Sequence, residues 1–229
     1  MSEIVIITGA SRGIGAATAR LLGAKGFSVV VNYSNSEAAA QEVVADVERS
    51  GGRAIAVKGD VGNEAGVIHL FKETKRFFGT PTGLVNNAGI VGSHKRRIED
   101  MDVAIMTEVM RINVIGSMVC AREAIRRMST QLGGPGGSIV NLSSVAARLG
   151  GAGQYVDYAA SKGAIESFTI GLARELAADG IRVNAVRPGI IDTDIHASGG
   201  QPRRAHELAP QIPMQRPGTA EEVAQAILW

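Results

Sequence analysis

The stretch "IITGASRGIGAATARLL" joins a short apolar run to a helical pattern through glycines, and it constrains the fold more than any other feature. Gly9 allows a sharp turn, while Gly13 and Gly15 let a phosphate approach the backbone and let the helix pack tightly on a sheet. The free N–H groups and positive dipole end of that helix form an anion site. Thr18 stands where the third glycine of the G-x-G-x-x-G spacing would fall. A plain tight turn is the alternative, but the strand–turn–helix context favours nucleotide binding.

Short β-rich runs and longer helical patterns alternate along the rest of the chain. The predicted strands are Glu3–Thr8, Ser28–Tyr33, Arg53–Lys58, Leu84–Asn86, Ser138–Leu142 and Ile181–Val186. The predicted helices are Ile14–Lys25, Glu37–Ser50, Glu64–Phe78, Ile98–Met128 and Tyr155–Asp179. This alternation predicts βαβ units and a parallel sheet, and the continuous apolar strands are typical of a sheet covered on both faces. Without repeats or a linker, residues 1–229 are expected to form a single α/β domain.

The segment Pro188 to Gly218 departs from this alternation. It carries four further prolines and the pair Gly199-Gly200. A long irregular insertion is usually a lid, a binding loop or disordered chain. This one follows a strand end, the edge of an open α/β sheet where ligands bind, so a substrate lid over about residues 189–218 is favoured.

The end of the second strand, "VVVNYSNSE", indicates which nicotinamide cofactor would bind. NAD sites usually carry an acidic residue about 20 residues after the glycines, where it bonds the ribose 2′-hydroxyl. Here Asn32 occupies that region, and no carboxylate follows until Glu37. Arg12, inside the glycine turn, could bind a 2′-phosphate, although a solvated loop arginine is the alternative. The pattern favours NADP over NAD.

The stretch "GQYVDYAASKGAIES" contains a tyrosine and a lysine four residues apart. On a helix Lys162 shares a face with Tyr158, whereas Tyr155 has only Ala159 there. A nearby cation lowers the pKa of a phenol from about 10, which suits an acid/base group. Taken alone, this spacing is more often an ordinary surface helix. Tyr155 is expected to line the pocket or to pack.

Composition excludes several classes of partner. Hydrophobic residues make up 45% and charged residues 20%, and the net charge of +2 indicates neither a nucleic-acid nor a membrane partner. The single Cys120 cannot form an internal disulfide, so a reducing compartment and a buried, inert thiol are expected. No signal peptide precedes the first strand, and no run approaches about 18 apolar residues, so a cytoplasmic protein is expected.

Five motifs occur in order: "TGASRGIG" (Thr8–Gly15), "NNAG" (Asn86–Gly89), "NLSS" (Asn141–Ser144), "YAASK" (Tyr158–Lys162) and "RPG" (Arg187–Gly189). Together they resemble the short-chain dehydrogenase/reductase family over essentially the whole chain. The resemblance implies a single-domain, Rossmann-type, doubly wound parallel sheet that binds NAD(H) or NADP(H). It also implies hydride exchange between an alcohol and a carbonyl.

The resemblance assigns roles residue by residue. Tyr158 matches the acid/base, Lys162 its partner, and Asn113 in "RINVIGS" the asparagine that holds a relay water. Ser144 matches the catalytic serine, but its spacing to Tyr158 is one residue longer than in many members, which keeps Ser143 as an alternative. The implied cofactor contacts are Gly9, Ser11, Arg12, Gly13, Ile14, Gly15, Asn32, Asp60, Val61, Asn87, Ala88, Gly89, Tyr158, Lys162, Pro188, Gly189, Ile191 and Thr193.

The prediction is therefore an NADP(H)-dependent oxidoreductase acting on a small carbonyl or alcohol, without a metal. The alternatives are an NAD-dependent sugar dehydrogenase and a non-catalytic nucleotide-binding regulatory or scaffold protein. The basic run "HKRR" (His94–Arg97) could meet an acidic substrate, but a solvated charge run is favoured. Family members usually continue through one more strand than this sequence holds. They are often dimers or tetramers that pair the helices within Met101–Met128 and Tyr155–Ala178, so a homo-oligomer is expected.

Overall fold

The computed structural model describes residues 3–92 and 97–229. Six parallel strands form one sheet in the order β3-β2-β1-β4-β5-β6, which confirms the doubly wound α/β prediction. The strands are β1 (Ile4–Ile7), β2 (Ser28–Tyr33), β3 (Arg53–Lys58), β4 (Gly83–Asn86), β5 (Gly137–Leu142) and β6 (Ile181–Val186). The described part of the chain holds no strand after β6, which lies at one edge of the sheet.

Helices cover both faces of the sheet. They are α1 (Gly13–Ala24), α2 (Glu37–Arg49), α3 (Glu64–Phe77), α4 (Val103–Met110), α5 (Ser117–Met128), α6 (Ala146–Leu149), α7 (Val156–Glu175), α8 (Ile195–Ser198), α9 (Arg204–Glu207) and α10 (Ala220–Leu228). Short 3₁₀ turns lie at Ile98–Asp100, Thr130–Leu132, Ala177–Asp179 and Ala209–Gln211. Helices α1, α2 and α10 share one apolar core, and α3, α5 and α7 share the other.

Alternate residues of the central strands supply these two cores. Val5 and Ile7 of β1 pack with α1, α2 and α10, whereas Ile6 between them packs with α3, α5 and α7. Successive side chains of a strand point to opposite faces, so a strand covered on both sides must be apolar throughout. Cys120 of α5 is fully buried in the second core, and burial raises the pKa of its thiol to about 12.

The helix predicted over Ile98–Met128 is interrupted. A 3₁₀ turn comes first, and α4 starts only where Asp102 caps the chain by accepting a hydrogen bond from the Ala104 N–H. Between α4 and α5, residues Arg111–Gly116 form a π-helical turn, whose wider spacing is rare and is frequently found at functional sites. The sequence pattern missed this turn because the composition of Arg111–Gly116 does not distinguish an α-helical from a π-helical turn.

Helix α4, the π-helical turn and α5 follow one another without a gap as the helical run Val103–Met128. This run is long and apolar enough to pass a length and composition test for a membrane span, with a mean hydropathy of 1.5. Its α5 part packs against α3, β4 and β5 inside the domain. The core helix of a soluble domain passes the same test, and this run contributes four buried α5 side chains to the second core.

The strand order creates the cleft in which the predicted site residues lie. The chain leaves β1 toward one face of the sheet and β4 toward the other, so the helices that follow these neighbouring strands lie on opposite faces. In open α/β sheets such a switch point, at the carboxyl ends of the strands, forms the ligand crevice. Segment 189–218, predicted to be a lid, contains α8 and α9 and is closed at its base by a parallel bridge between Ile191 and Gly218.

Candidate active site

A cleft of about 710 Å³ opens at the carboxyl ends of the strands, beneath segment 189–218. Every residue that the sequence predicted for catalysis or cofactor binding lines this cleft, with the exceptions of Gly15 and Asn113. The structure therefore brings together residues from five separate sequence motifs. Within residues 3–92 and 97–229, no group of three or more His, Cys, Asp or Glu side chains could hold a metal ion.

One end of the cleft is formed by the start of α1. Arg12 is the N-cap residue but its side chain makes no capping bond, and the first turn holds no acidic residue. The backbone N–H groups of that turn are therefore open to an anion, and the helix dipole favours one there. A pyrophosphate fits this chemistry.

The glycine turn is packed against the loop after β4. Gly9 has a φ of +61°, and a Cβ there would lie 2.9 Å from the Cα of Ala88. A Cβ on Gly15 would lie 2.5 Å from the Nδ2 of Asn87, so Gly15 serves close packing behind the cleft wall. The Asn87 amide in turn donates to the carbonyl oxygens of Thr8 and Gly9, at 2.8 and 3.0 Å.

Asn32, predicted to touch the cofactor, has its amide engaged by the protein. Its Oδ1 accepts a hydrogen bond from the Gly9 N–H at 3.2 Å, and its Nδ2 donates to the carbonyls of Val57 and Gly59. The exposed side chains that follow β2 at the cleft rim are Ser34, Asn35 and Ser36. Asn32 thus ties the glycine turn to the end of β3, and the rim beyond it carries no carboxylate before Glu37.

Asp60 is held in place by an arginine of the π-helical turn. Its Oδ2 accepts from Arg111 Nη1 at 3.0 Å and its Oδ1 accepts from the Gly62 N–H at 2.9 Å. Arg111 also binds both carboxylate oxygens of Glu108 at 2.7 Å, and these two acids raise the pKa of its guanidinium above its usual range. Sequence reasoning missed Arg111 because it lies 51 residues from Asp60.

Ser144, and not Ser143, faces Tyr158. The hydroxyl of Ser144 hydrogen-bonds the Tyr158 phenol and accepts the Ala146 N–H at 3.2 Å. Ser143 is buried and points away, donating to Glu166 Oε1 at 2.8 Å. The geometry thus separates the two serines that the sequence left as alternatives.

Lys162 lies deep beneath Tyr158 on α7. It is 5% exposed, its Nζ donates to the Leu142 carbonyl at 2.6 Å, and the same nitrogen lies 5.6 Å from the centre of the Tyr158 ring. Burial lowers the pKa of Lys162 to about 8. The buried ammonium is therefore poised to lose a proton far more readily than a free lysine.

The pKa of Tyr158 is raised in the structure, whereas the sequence predicted that it would be lowered. A neighbouring lysine was expected to lower its pKa, but burial raises the pKa of the phenol, opposed by the Ser144 hydrogen bond and then by the positive charge of Arg204. Desolvation disfavours the phenolate, and the Lys162 ammonium is directed to a backbone carbonyl. The spacing of four residues correctly predicts that the two side chains lie on one face of α7. It does not predict how deeply they are buried.

Asn113 stands behind the cleft wall, 1% exposed, in the π-helical turn. Its Oδ1 accepts the Ile90 N–H at 2.8 Å, and its Nδ2 donates to the Ile90 carbonyl and to Ser161 Oγ. A Cβ built on Gly89 would be 3.3 Å from Asn113 Oδ1 and 3.6 Å from Lys162 Nζ. Asn113 therefore joins the loop after β4 to α7, and Gly89 lies between its amide and the buried lysine.

Glu166 links Ser143, directly after β5, to Arg187 of the "RPG" loop. The sequence analysis did not assign this role. It lies one helical turn after Lys162, accepts from Ser143 Oγ at 2.8 Å and pairs with Arg187 Nε at 2.5 Å. These partners lower the pKa of its carboxyl. The i, i+4 spacing from Lys162 was the available signal, since it places Glu166 on the same face of α7.

Segment 189–218 is fastened to the loop before α7. Tyr155, 9% exposed, donates its hydroxyl to the Gly199 carbonyl at 3.0 Å and accepts from Gln201 Nε2 at 3.0 Å. Arg204 donates to Gln154 Oε1 at 2.7 Å. On the opposite side Arg12 Nη2 donates to Ser198 Oγ at 3.2 Å. Of the basic run His94–Arg97, only Arg97 lies within the described residues, where it pairs with Glu99.

Comparison with known proteins matches nearly the whole chain. A family model described as enoyl-(acyl carrier protein) reductase matches residues 9–229. An uncharacterised oxidoreductase of Escherichia coli is 50% identical over 226 residues, which cover 99% of this chain and 91% of that relative. A 3-oxoacyl-[acyl-carrier-protein] reductase of Synechocystis is 40% identical over 229 residues, covering 99% of this chain and 87% of that relative.

A solved structure extends the likeness to the fold. A short chain dehydrogenase from Burkholderia cenocepacia in complex with NADP has a TM-score of 0.87 and 35% identity to this chain. The match covers 98% of this chain and 88% of that one. The region in common therefore includes the glycine turn, the cleft and segment 189–218.

The Glu166 contacts predict a pH-dependent contribution to stability. Because its pKa is lowered in the folded chain, its contribution is fully present above the ordinary glutamate pKa and is lost as the pH falls through the lowered value. We expect Glu166→Gln to reduce the free energy of unfolding near neutral pH by about 1 kcal/mol at most, because Arg187 is 40% exposed and solvent screens the pair. Urea unfolding of both proteins across the acid range should show this difference shrinking as the pH falls.

Glu207→Gln is the matched control for that experiment. Glu207 lies on α9, its side chain is 62% exposed, and its contact with Arg203 is 3.7 Å. Its substitution should leave the unfolding free energy nearly unchanged at every pH. A Glu166→Gln difference that stays constant across the acid range would contradict the charge-based account.

Proposed function

The chain belongs to the short-chain dehydrogenase/reductase family of NAD(P)-dependent enzymes, and from this we propose that it exchanges a hydride between NADP(H) and a carbonyl or secondary alcohol in the cleft. The observation that carries the proposal is the convergence of Ser144, Tyr158 and Lys162 on one wall of the cleft that begins at the open N–H groups of α1. Nucleotide and reacting groups would thus occupy one continuous space.

The residues of the cleft fit a nicotinamide dinucleotide. The start of α1 would hold the pyrophosphate, Asp60 would meet the adenine, and Ala88 and Gly89 would pass along the adenosine side. Ile191 and Thr193 would bind the nicotinamide carboxamide, and Lys162 the ribose beside it. Bound NADP(H) supplies the hydride, while the protein supplies position and electrostatics.

Ser144 and Tyr158 would polarise the carbonyl. Their hydroxyls hydrogen-bond each other, so both can be directed at one substrate oxygen. That oxygen gains negative charge during reduction, and donors already aimed at it stabilise the charge as it develops. Tyr158 then transfers its proton to the oxygen, which makes the phenol the general acid in reduction and the phenolate the general base in oxidation.

Lys162 and Asn113 would restore the proton on Tyr158. Lys162 is a buried ammonium with a pKa lowered to about 8, so it gives up a proton near neutral pH at a small cost in free energy. Asn113 lies next to it and fixes the loop that carries Gly89. We assign Asn113 to the relay between this lysine and water.

The cofactor preference is proposed to be NADP(H) over NAD(H). The rim after β2 carries Ser34 and Asn35 and no carboxylate, so nothing there repels a 2′-phosphate. Arg12 is exposed at the same cleft, and its bond to Ser198 is a single neutral contact that a phosphate could replace.

Tyr158→Phe tests the mechanism. The substitution removes the hydroxyl that gives the proton but keeps the ring, so we expect turnover of any carbonyl substrate to fall by at least about a thousandfold. The dissociation constant for NADPH, measured by fluorescence titration, should change by less than about threefold.

Tyr155→Phe is the matched control, because Tyr155 lies three residues earlier and bonds Gly199 and Gln201 of segment 189–218. It should retain most of the turnover. Turnover that survives Tyr158→Phe would rule out the proposed acid/base.

Arg12→Gln tests the cofactor proposal. We expect the wild-type chain to bind NADPH at least about tenfold more tightly than NADH, a difference of about 1.4 kcal/mol, and the variant to lose most of this difference. NADH affinity should change little, because NADH lacks the 2′-phosphate. Arg20→Gln, on the exposed side of α1 where Arg20 pairs with Asp46, is the charge-matched control. A wild-type preference for NADH would point to the NAD-dependent alternative.

The chain is also proposed to form a homodimer or homotetramer through α4, α5 and α7. Val103 and Ile115 of the Val103–Met128 run and Ile170 of α7 are each more than half exposed. Ile170→Glu should lower the solution mass measured by analytical ultracentrifugation. Leu132→Glu, at an equally exposed apolar residue in the Thr130–Leu132 turn, should not. A monomeric wild-type chain would contradict this assembly.

A further inference from the structure

The cleft continues beyond Tyr158 into a space bounded by segment 189–218. Its walls there are largely apolar, with Val91, Val145 and Leu149 among them. Arg204 of α9 enters the same space, together with Gln154 and His196. A carbonyl compound held by Ser144 and Tyr158 would extend its remaining groups toward these side chains.

The guanidinium of Arg204 faces the interior of the cleft. Arg204 is half-buried, and its Nη2 donates to Gln154 Oε1 at 2.7 Å. Burial raises the pKa values of the Tyr155 and Tyr158 phenols and the charge of Arg204 opposes that rise, while burial lowers the pKa of the His196 imidazole and the same charge adds to that effect. The three groups belong to two elements, α7 with its N-cap residue and α8, and they line the cleft together with Arg204.

This cation has no anionic partner among the residues that the structure describes. The neighbouring bases both have acidic partners: Arg203, the residue before α9, contacts Glu207 at 3.7 Å, and His206 of α9 contacts Asp192 at 3.1 Å. The Gln154 oxygen is neutral and accepts one of the five N–H groups of a guanidinium. A half-buried charge with a neutral partner lacks the compensation that an anion would give.

The carboxylates of the cleft do not supply that compensation. Asp60 is at the adenine end and is held by Arg111. Asp194, at the start of α8, is exposed and makes no ion pair with Arg204. Two further acids act on these side chains, Asp157 on Tyr155 and Asp192 on His196, but neither lines the cleft, and Asp192 is paired with His206.

We infer that Arg204 binds an anionic group of the carbonyl substrate, so that the enzyme selects oxo acids over neutral carbonyl compounds of the same shape. This inference rests on the proposed reaction at Ser144 and Tyr158 and adds the chemical class of its substrate. A planar guanidinium with free N–H groups matches a carboxylate in two parallel hydrogen bonds. The apolar walls accommodate the hydrocarbon between the carboxylate and the carbonyl.

The test compares straight-chain α-, β- and γ-oxo acids with their methyl esters, with NADPH as the reductant. We expect the wild-type kcat/KM for at least one acid to exceed that for its ester by about tenfold or more. Arg204→Gln should lower kcat/KM for the acid by at least about tenfold and change that for the ester by less than about threefold. Arg203→Gln removes the adjacent, exposed charge and should leave both values unchanged.

Gln154→Ala separates substrate binding from the tie between α9 and the loop before α7. It removes the Arg204–Gln154 hydrogen bond but keeps the cation, so the preference for acid over ester should persist. If Gln154→Ala loses that preference to the same extent as Arg204→Gln, Arg204 has a structural role only and the inference is wrong.

Three further outcomes would overturn the inference. Equal losses on acid and ester in Arg204→Gln, with the pH profile of kcat/KM moved upward, would mean that Arg204 acts on Tyr158 alone. If the esters are reduced and no acid is preferred, the proposed reaction stands but the inferred preference for oxo acids is wrong. If neither acids nor esters are reduced with NADPH or NADH, the inferred substrate class is wrong, and the proposed reaction is then decided by the Tyr158→Phe comparison on other carbonyl compounds.

Discussion

The packing of the glycine turn on the loop after β4 is the constraint on which the site depends. The Thr8 hydroxyl accepts the N–H groups of Asn87 and Ala88, both at 3.0 Å, and a Cβ on Gly9 would collide with the Ala88 backbone. The end of β1 and the end of β4 are thereby held together at the switch point of the sheet. Because α1 begins directly after this turn, the N–H groups of its first turn are held at a fixed position relative to the loop after β4.

Asn113 ties the same loop to α7, the helix that carries Tyr158 and Lys162. Its amide holds both backbone groups of Ile90 and reaches Ser161, the neighbour of Lys162 on α7. The π-helical turn places Asn113 inward while Arg111, two residues earlier, bonds Asp60 at the adenine end. One short irregular segment thus positions both Arg111 with Asp60 and Asn113 with Ser161, the residues proposed for adenine binding and for the proton relay.

The sequence predicted what depends on local spacing. The strands, the glycine turn and the stacking of Tyr158 on Lys162 follow from residues near one another in the chain, and the strand boundaries agree closely with the structure. The π-helical turn and the contacts of Glu166 with Arg187 could not be predicted, because they depend on partners brought together by the sheet. The same limit applies to Asn32 and Arg204. The amide of Asn32, a predicted cofactor contact, is hydrogen-bonded to the glycine turn, and no sequence pattern indicated where Arg204 would lie.

Burial decides which form of Tyr158 the cleft presents. With its pKa raised above that of a free phenol, Tyr158 is protonated at neutral pH, which is the form that carbonyl reduction consumes. Alcohol oxidation needs the phenolate, and only the Ser144 hydrogen bond and the Arg204 charge work toward it. An anionic substrate group paired with Arg204 would cancel part of that charge and strengthen the bias toward the phenol. The arrangement that would select an acidic substrate therefore also favours its reduction.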